Sequence, residues 1–212
     1  MQFLSDFAAQ YKNTAARQNI MIAEGGLLKD PILHGNCCDA GICQLDDPFI
    51  LLQGDVVHTE SAYFMGSRIE GDHALFAIAT STCDLTEGRR KHAVLLPLIP
   101  IQKNSESAEQ KEIAGLLAGV LKFQSTKYMF LPRLAHQDPQ KISGNLIDFT
   151  KPHQIECESL LLAYRRASMT EVGWRIFSSV LRYVNSREAK QEAEIRNLPI
   201  PLTSDPEEDA AD

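Results

Sequence analysis

The sequence predicts an α+β fold: a small antiparallel β-barrel with an N-terminal helix, one inserted helix and a long C-terminal helix. Three observations carry this. Four strand-like pieces follow one another between residues 49 and 102 with Gly and Pro punctuation, which favours a meander or small barrel over βαβ units. The window 105–122 opens on serines and acids and turns apolar from Ile113, the pattern of a capped helix. Trp174, Phe177, Leu181 and Val184 recur at spacings of three and four, so they line one helical face.

The elements follow in order. Residues 1–24 are expected to form a helix, because Phe3, Phe7, Tyr11 and Ala15 recur every fourth position and Gly25-Gly26 follows as a stop. The barrel core is expected over 25–157. Its first stretch, up to Pro48, has no clear period and reads as loop with short extended pieces. "FILLQGDVVHTE" is an apolar run, a Gly-Asp break and a β-branched pair; "SAYFMGSRIEGD" offers Gly66 and Gly71 as turn or bulge positions. "HALFAIATST" is a continuous apolar strand, consistent with burial on both faces. "HAVLLPLIPIQ" is another, with Pro97 and Pro100 placing its far end at an edge.

A helix at about 106–122 interrupts the strands, capped by Ser105 or Ser107, with Gly115 and Gly119 suited to close packing on the sheet. "KYMFLPRL" and "NLIDFTKPHQIECES" read as further short strands. Residues 158–196 are expected to hold the C-terminal helices. There "SMTE" has the form of a capping box, Ser168 bonding the Glu171 N–H. Residues 197–212 are a disordered acidic tail by composition.

Of 212 residues, 44% are apolar and 23% charged, ordinary for a globular protein with a sizeable core. Five of the seven net negative charges come from Asp205, Glu207, Glu208, Asp209 and Asp212 in the tail. The remaining body is near neutral, so a polyanion needs a local basic patch rather than a long-range field. Cys37, Cys38, Cys43, Cys83 and Cys157 are odd in number, no signal peptide is visible, and no apolar run reaches the ~20 residues of a membrane span. These features point to a cytoplasmic protein with reduced thiols and no membrane partner.

Several constellations can carry chemistry. His34, Cys37 and Cys43 are near enough in sequence to share a zinc ion. However, adjacent Cys37 and Cys38 are hard to aim at one metal and no second knuckle exists, so loop cysteines are the plainer reading and no cofactor is expected. Cys83 has Arg89, Arg90 and His92 within reach to depress its pKa. Against this, a cysteine ending a buried strand is usually core, and Asp84 suits a turn cap. Asp55, beside Gly54 between two apolar pieces, is expected to satisfy backbone donors, and nothing in the sequence brings Asp84 or Asp148 to it for paired-carboxylate work. Arg89, Arg90, Lys91 and His92 form a short cationic run, with Arg165-Arg166 and Lys127-Tyr128 as other basic candidates. A small barrel can hold a single nucleic-acid strand on such a patch, with Tyr63, Phe64 or Tyr128 as stacking platforms.

Gly54-Asp55, Thr80-Ser81 and Leu96-Pro97-Leu98-Ile99 stand in an order that resembles growth-inhibitor toxins of the PemK and MazF kind, over about residues 49–101. The resemblance implies an SH3-like small barrel and metal-independent RNA cleavage by an arginine and a hydroxyl residue. That family's Arg-Pro before the second conserved strand is replaced here by His73-Ala74. "TSTCDL" and "RRASMT…GW" also resemble uncharacterised bacterial proteins associated with defence or toxin–antitoxin genes. The leading expectation is therefore a non-catalytic module, a subunit or adaptor of such an assembly, that binds a partner protein or nucleic acid. The alternative is an endoribonuclease. It would use Asp84 or His92 for proton transfer, Ser81 or Thr82 as the hydroxyl, and Arg89 or Arg90 to stabilise charge on phosphorus.

Overall fold

The computed structural model describes residues 26–32, 51–69, 74–86, 88–103, 108–121, 125 and 127–185. The expected N-terminal helix, the His34, Cys37 and Cys43 cluster, and the acidic tail lie outside these residues. Ten antiparallel strands form one sheet: β1 (Leu28–Lys29), β2 (Val56–His58), β3 (Tyr63–Phe64), β4 (Ser67–Arg68), β5 (Leu75–Ile78), β6 (His92–Gln102), β7 (Tyr128–Pro132), β8 (Ile142–Asp148), β9 (His153–Glu156) and β10 (Tyr164–Met169). The helices are α1 (Ala108–Leu121), α2 (Cys157–Leu161) and α3 (Glu171–Asn185), and a 3-10 turn spans Thr82–Leu85.

The strand path runs β1-β10-β2-β5-β6-β9-β3-β4, with a branch from β6 through β8 to β7. The α+β, antiparallel character matches the expectation. The sheet is open, however: no pairing among the described residues joins its ends into a barrel. It curls instead. Met129 and Leu131 of β7 share one buried cluster with Ala167 and Met169 of β10, and Ile176 and Phe177 of α3 fill the concave side.

Alternation explains the apolar runs. Val56, Ala77 and Leu96 face this first cluster, while Val57, Phe76, Ile78 and Leu95 face a second one closed by Ile155 and by Leu160 of α2. A strand buried on both faces needs no polar alternation.

The near half of β6 is interior, but beyond Pro97 the strand pairs with β8 alone, so its far end, with Pro100, has one open side as expected. Leu95–Pro97 pair with β5, His92–Leu95 with β9 and Leu98–Gln102 with β8. The Val94 carbonyl faces β5, accepting the Ala79 N–H at 2.8 Å. By ladder alternation, the Pro97 nitrogen then faces the other side, where β8 has ended and β9 has not begun. A missing N–H there loses no ladder bond.

Other local expectations change too. Space around Gly115 and Gly119 is open, so α1 packs through Ile113 and Val120 and not through a glycine seam. Tyr164–Met169 within the expected helical region is a strand. Ser168 therefore lies in β10, and the cap of α3 is Thr170, whose Oγ1 accepts the Gly173 N–H at 3.1 Å. The Glu171 carboxylate bridges Arg175 at 2.6 Å rather than reaching back.

Candidate nucleic-acid interface

β10 begins with a bulge. Arg165 pairs with Val57 and Ala167 with Val56, which leaves Arg166 as the extra residue. A bulge re-aims side chains, and here it sends two consecutive arginines to different places. Arg165 donates to the Ile32 carbonyl at 3.3 Å, toward the buried Asp55. Arg166 lies over the Tyr164 ring, its guanidinium carbon 4.2 Å from the centroid. Among the described residues no hydrogen bond or ion pair holds that guanidinium, and its Nε is buried without a partner there. An orphaned N–H costs about 1–3 kcal/mol, and the cation–π contact, worth roughly 0.5–2 kcal/mol, offsets part of that.

Tyr164 is 63% exposed and stands directly across the ladder from His58. Between them opens a groove of about 410 Å³, bounded by the end of β2, the β3–β4 hairpin and the α2–β10 connection. Arg68, Ser61 and Ser159 line it, with Glu60 as the one acid among the described lining residues; the Glu60 carbonyl accepts the Arg68 Nε–H at 2.6 Å.

His136 adds an imidazole near Arg166. It sits in a loop closed by reciprocal amide bonds: Gln137 Nε2 donates to Asn145 Oδ1 at 2.8 Å, and Asn145 Nδ2 donates to Gln137 Oε1 at 2.9 Å. Partial burial, then the positive charges of Arg166 and His58, hold the His136 pKa below the usual imidazole value. Arg166, stacked on the Tyr164 ring, and the His58 imidazole are thus both in electrostatic range of His136.

The basic run after the 3-10 turn is built differently. Arg90 pairs with Asp84 at 2.9 Å, and both are solvent-accessible. Asp84 is therefore an ion-pair partner rather than the expected turn cap; the turn closes through its backbone N–H to the Ser81 carbonyl at 2.9 Å. Cys83 is exposed, not core. Ser81, Arg89, Lys91 and His92 are exposed, while Thr82 Oγ1 accepts the Gln53 N–H at 3.0 Å. Gln53 also receives the Nε1–H of the half-exposed Trp174 at 3.3 Å, which ties α3 to this corner. Tyr128 is partly buried and packs against the first core cluster, whereas Tyr63 is 49% exposed.

The carboxylates work separately. Asp55 Oδ2 accepts the Leu52 N–H at 3.0 Å, the expected backbone role, and burial raises its pKa. Asp148 Oδ1 accepts the N–H and hydroxyl of Thr150 at 2.8 and 2.6 Å, pinning the break between β8 and β9. His153 beside that break is buried, accepts no charge readily because desolvation lowers its pKa, and donates Nδ1–H to the Lys151 carbonyl at 2.7 Å.

The sequence singled out Arg165-Arg166 but not Tyr164, His58 or His136. A tyrosine beside two arginines is the only local signal; the bulge that stacks Arg166 on it is a property of pairing with β2. Among the described residues no helix is long and apolar enough to cross a membrane, and no group of three His, Cys, Asp or Glu side chains is placed to hold a metal ion. Comparison with known proteins returns no match: no family model, no curated protein and no solved structure is similar to this chain.

Proposed function

We propose that this protein is a non-catalytic binding module that holds single-stranded RNA on the Tyr164 face. The observation that carries the reading is the exposed Tyr164 ring with the Arg166 guanidinium stacked on it, a guanidinium with no ion-pair partner among the described residues, His58 across the ladder and His136 within electrostatic range. A solvent-facing aromatic accepts a base of any sequence, and adjacent cations neutralise the backbone. The hydroxyls of Ser61 and Ser159 in the groove suit a ribose 2′-OH, which both donates and accepts. With a near-neutral body, such a local cluster is what a polyanion requires. Absence of catalysis is supported by the corner at Asp84: its ion pair with Arg90 is wet, where phosphoryl chemistry wants donors held in a water-excluded cleft.

The test is fluorescence anisotropy with a labelled twelve-nucleotide uridine-rich RNA at increasing salt. Binding should weaken with salt, and Arg166→Ala should lower the affinity and flatten the logarithmic slope by about 0.7, one phosphate contact. The same DNA sequence should bind more weakly, and the RNA should remain uncut. No binding at 50 mM salt, or an Arg166→Ala protein indistinguishable from wild type, overturns the interface. Equal affinity for DNA overturns the choice of RNA, and cleavage overturns the non-catalytic part.

A further inference from the structure

We propose, resting on the RNA reading of the Tyr164 groove, that the bound strand continues across the β3–β4 hairpin and stacks a second base on Tyr63. The hairpin places the means for this. Tyr63 and Arg68 are direct cross-strand partners, so their side chains share a face with Cβ atoms about 5 Å apart. That face is outward, because the next residue, Phe64, turns inward to stack on buried His153 at 4.9 Å. Arg68 lines the Tyr164 groove, while Tyr63 lines a second hollow of about 340 Å³ with Met65, Pro152 and Gln154. An arginine beside an exposed tyrosine is thus repeated along one track: Arg166 with Tyr164, then Arg68 with Tyr63.

The second hollow has the chemistry for a base. Among the described residues no acid lines it. Met65, at the hairpin tip, is 92% exposed and offers an accessible thioether. Pro152 and Tyr63 supply flat apolar walls, and the Gln154 amide can donate and accept at a base edge. The platform is also held in place before a ligand arrives. Met65 and Gly66 take left-handed backbone angles, φ 49° and 85°, which make a tight hairpin turn. The Ile69 N–H closes its base on the Ala62 carbonyl at 3.0 Å, and Tyr63 pairs with Gln154 of β9. A pre-ordered aromatic loses little freedom on binding.

The experiment is a length series of labelled oligouridylates, from two to ten nucleotides, titrated into wild type, Tyr63→Ala, Tyr63→Phe and Tyr164→Ala. Wild-type affinity should rise in a step, roughly 5- to 150-fold beyond the backbone trend, at the length that first reaches the second platform. Tyr63→Ala should abolish that step and leave the shortest oligomers unaffected. Tyr63→Phe should keep it, because stacking and not the hydroxyl is used. Tyr164→Ala should weaken every length. A step that persists in Tyr63→Ala, or a loss in Tyr63→Ala that is equal at all lengths, overturns the second subsite while the first stands. If no length binds wild type, the Tyr164 reading itself fails and this one with it.

Discussion

The Ser168 hydroxyl donates a 2.6 Å hydrogen bond to Oδ1 of the buried Asp55, joining residues 113 positions apart. The same Ser168 Oγ accepts the Ile32 N–H at 3.0 Å, and Asp55 Oδ2 accepts the Leu52 N–H at 3.0 Å. One carboxylate and one hydroxyl therefore lock β1, β2 and β10 into register, and with them the bulge that presents Arg166. Asp55→Ala should cost about 2–5 kcal/mol in urea unfolding, since it orphans both donors at once. Asp55→Asn should cost less. Burial raises the Asp55 pKa, so the folded state holds the proton more tightly than the unfolded chain. The stability this group contributes is full below the ordinary carboxylate value and is lost as pH rises through the raised one. Accordingly, Asp55→Asn should gain on wild type between acidic and neutral pH. A constant difference across that range would contradict the assignment.

This pair also shows why the sequence misleads at residues 168–171. Ser168 and Glu171 have capping-box spacing, but the distant Asp55 takes the serine hydroxyl and Thr170 caps the helix instead. Strands β5 and β6 were legible because burial on both faces leaves an unbroken apolar run, and α3 from the spacing of Phe177, Leu181 and Val184, although Trp174 of that set is half-exposed and Ile176 and Val180 take the buried places. β10 was not legible: "YRRASM" is polar at its start, and its strand state comes from pairing with β2 and β1. The basic run at Arg89–Lys91 drew notice because its charges are contiguous. The Tyr164 cluster gathers residues from β2, β10 and the loop after β7, which no local pattern joins.

Gly173 should resist replacement despite its place in a helix. Alanine gains about 1 kcal/mol in helix propensity over glycine. At this position, however, its methyl would press into the Leu27 carbonyl, backbone that cannot rotate away. Gly173→Ala should therefore lose roughly 1–3 kcal/mol net. Gly119→Ala, with open space around it, should gain stability in the same thermal unfolding assay. A stabilised Gly173→Ala protein would show that the α3–Leu27 contact is not made.

His153 should make the fold acid-sensitive. Burial against Phe64 and Phe76 lowers its pKa, so below the ordinary imidazole value the unfolded chain takes up a proton that the folded one refuses. Stability is complete above that value and is lost as pH falls toward the lowered one. His153→Phe should flatten the fall in unfolding free energy between pH 7 and 5, at the cost of the Lys151 carbonyl contact. His136, also lowered, acts in the same direction, so His136→Ala measures its share separately. An unchanged slope in His153→Phe would contradict the burial of a neutral ring.

The same His136 should give RNA affinity the opposite pH dependence. Partial burial, then the nearby charges of Arg166 and His58, disfavour its charged form in the free protein, and a phosphate beside it restores that form. Affinity should rise as pH falls through the imidazole range and level off below the free-protein value. His136→Ala should reduce this rise. Anisotropy titrations from pH 8 to 5 measure it, and a pH-independent affinity in wild type would contradict phosphate contact at this cluster.

The most direct measurement compares two proteins with the same RNA at one salt concentration: Tyr164→Ala, and the triple variant Arg89→Ala, Arg90→Ala, Lys91→Ala. The triple variant removes three positive charges from an exposed turn, while the single one removes no charge. If the strand lies on the Tyr164 face, Tyr164→Ala should weaken binding roughly 5- to 150-fold and the triple variant should bind close to wild type. The reverse order, a large loss in the triple variant and none in Tyr164→Ala, would contradict the account and return the site to the basic turn.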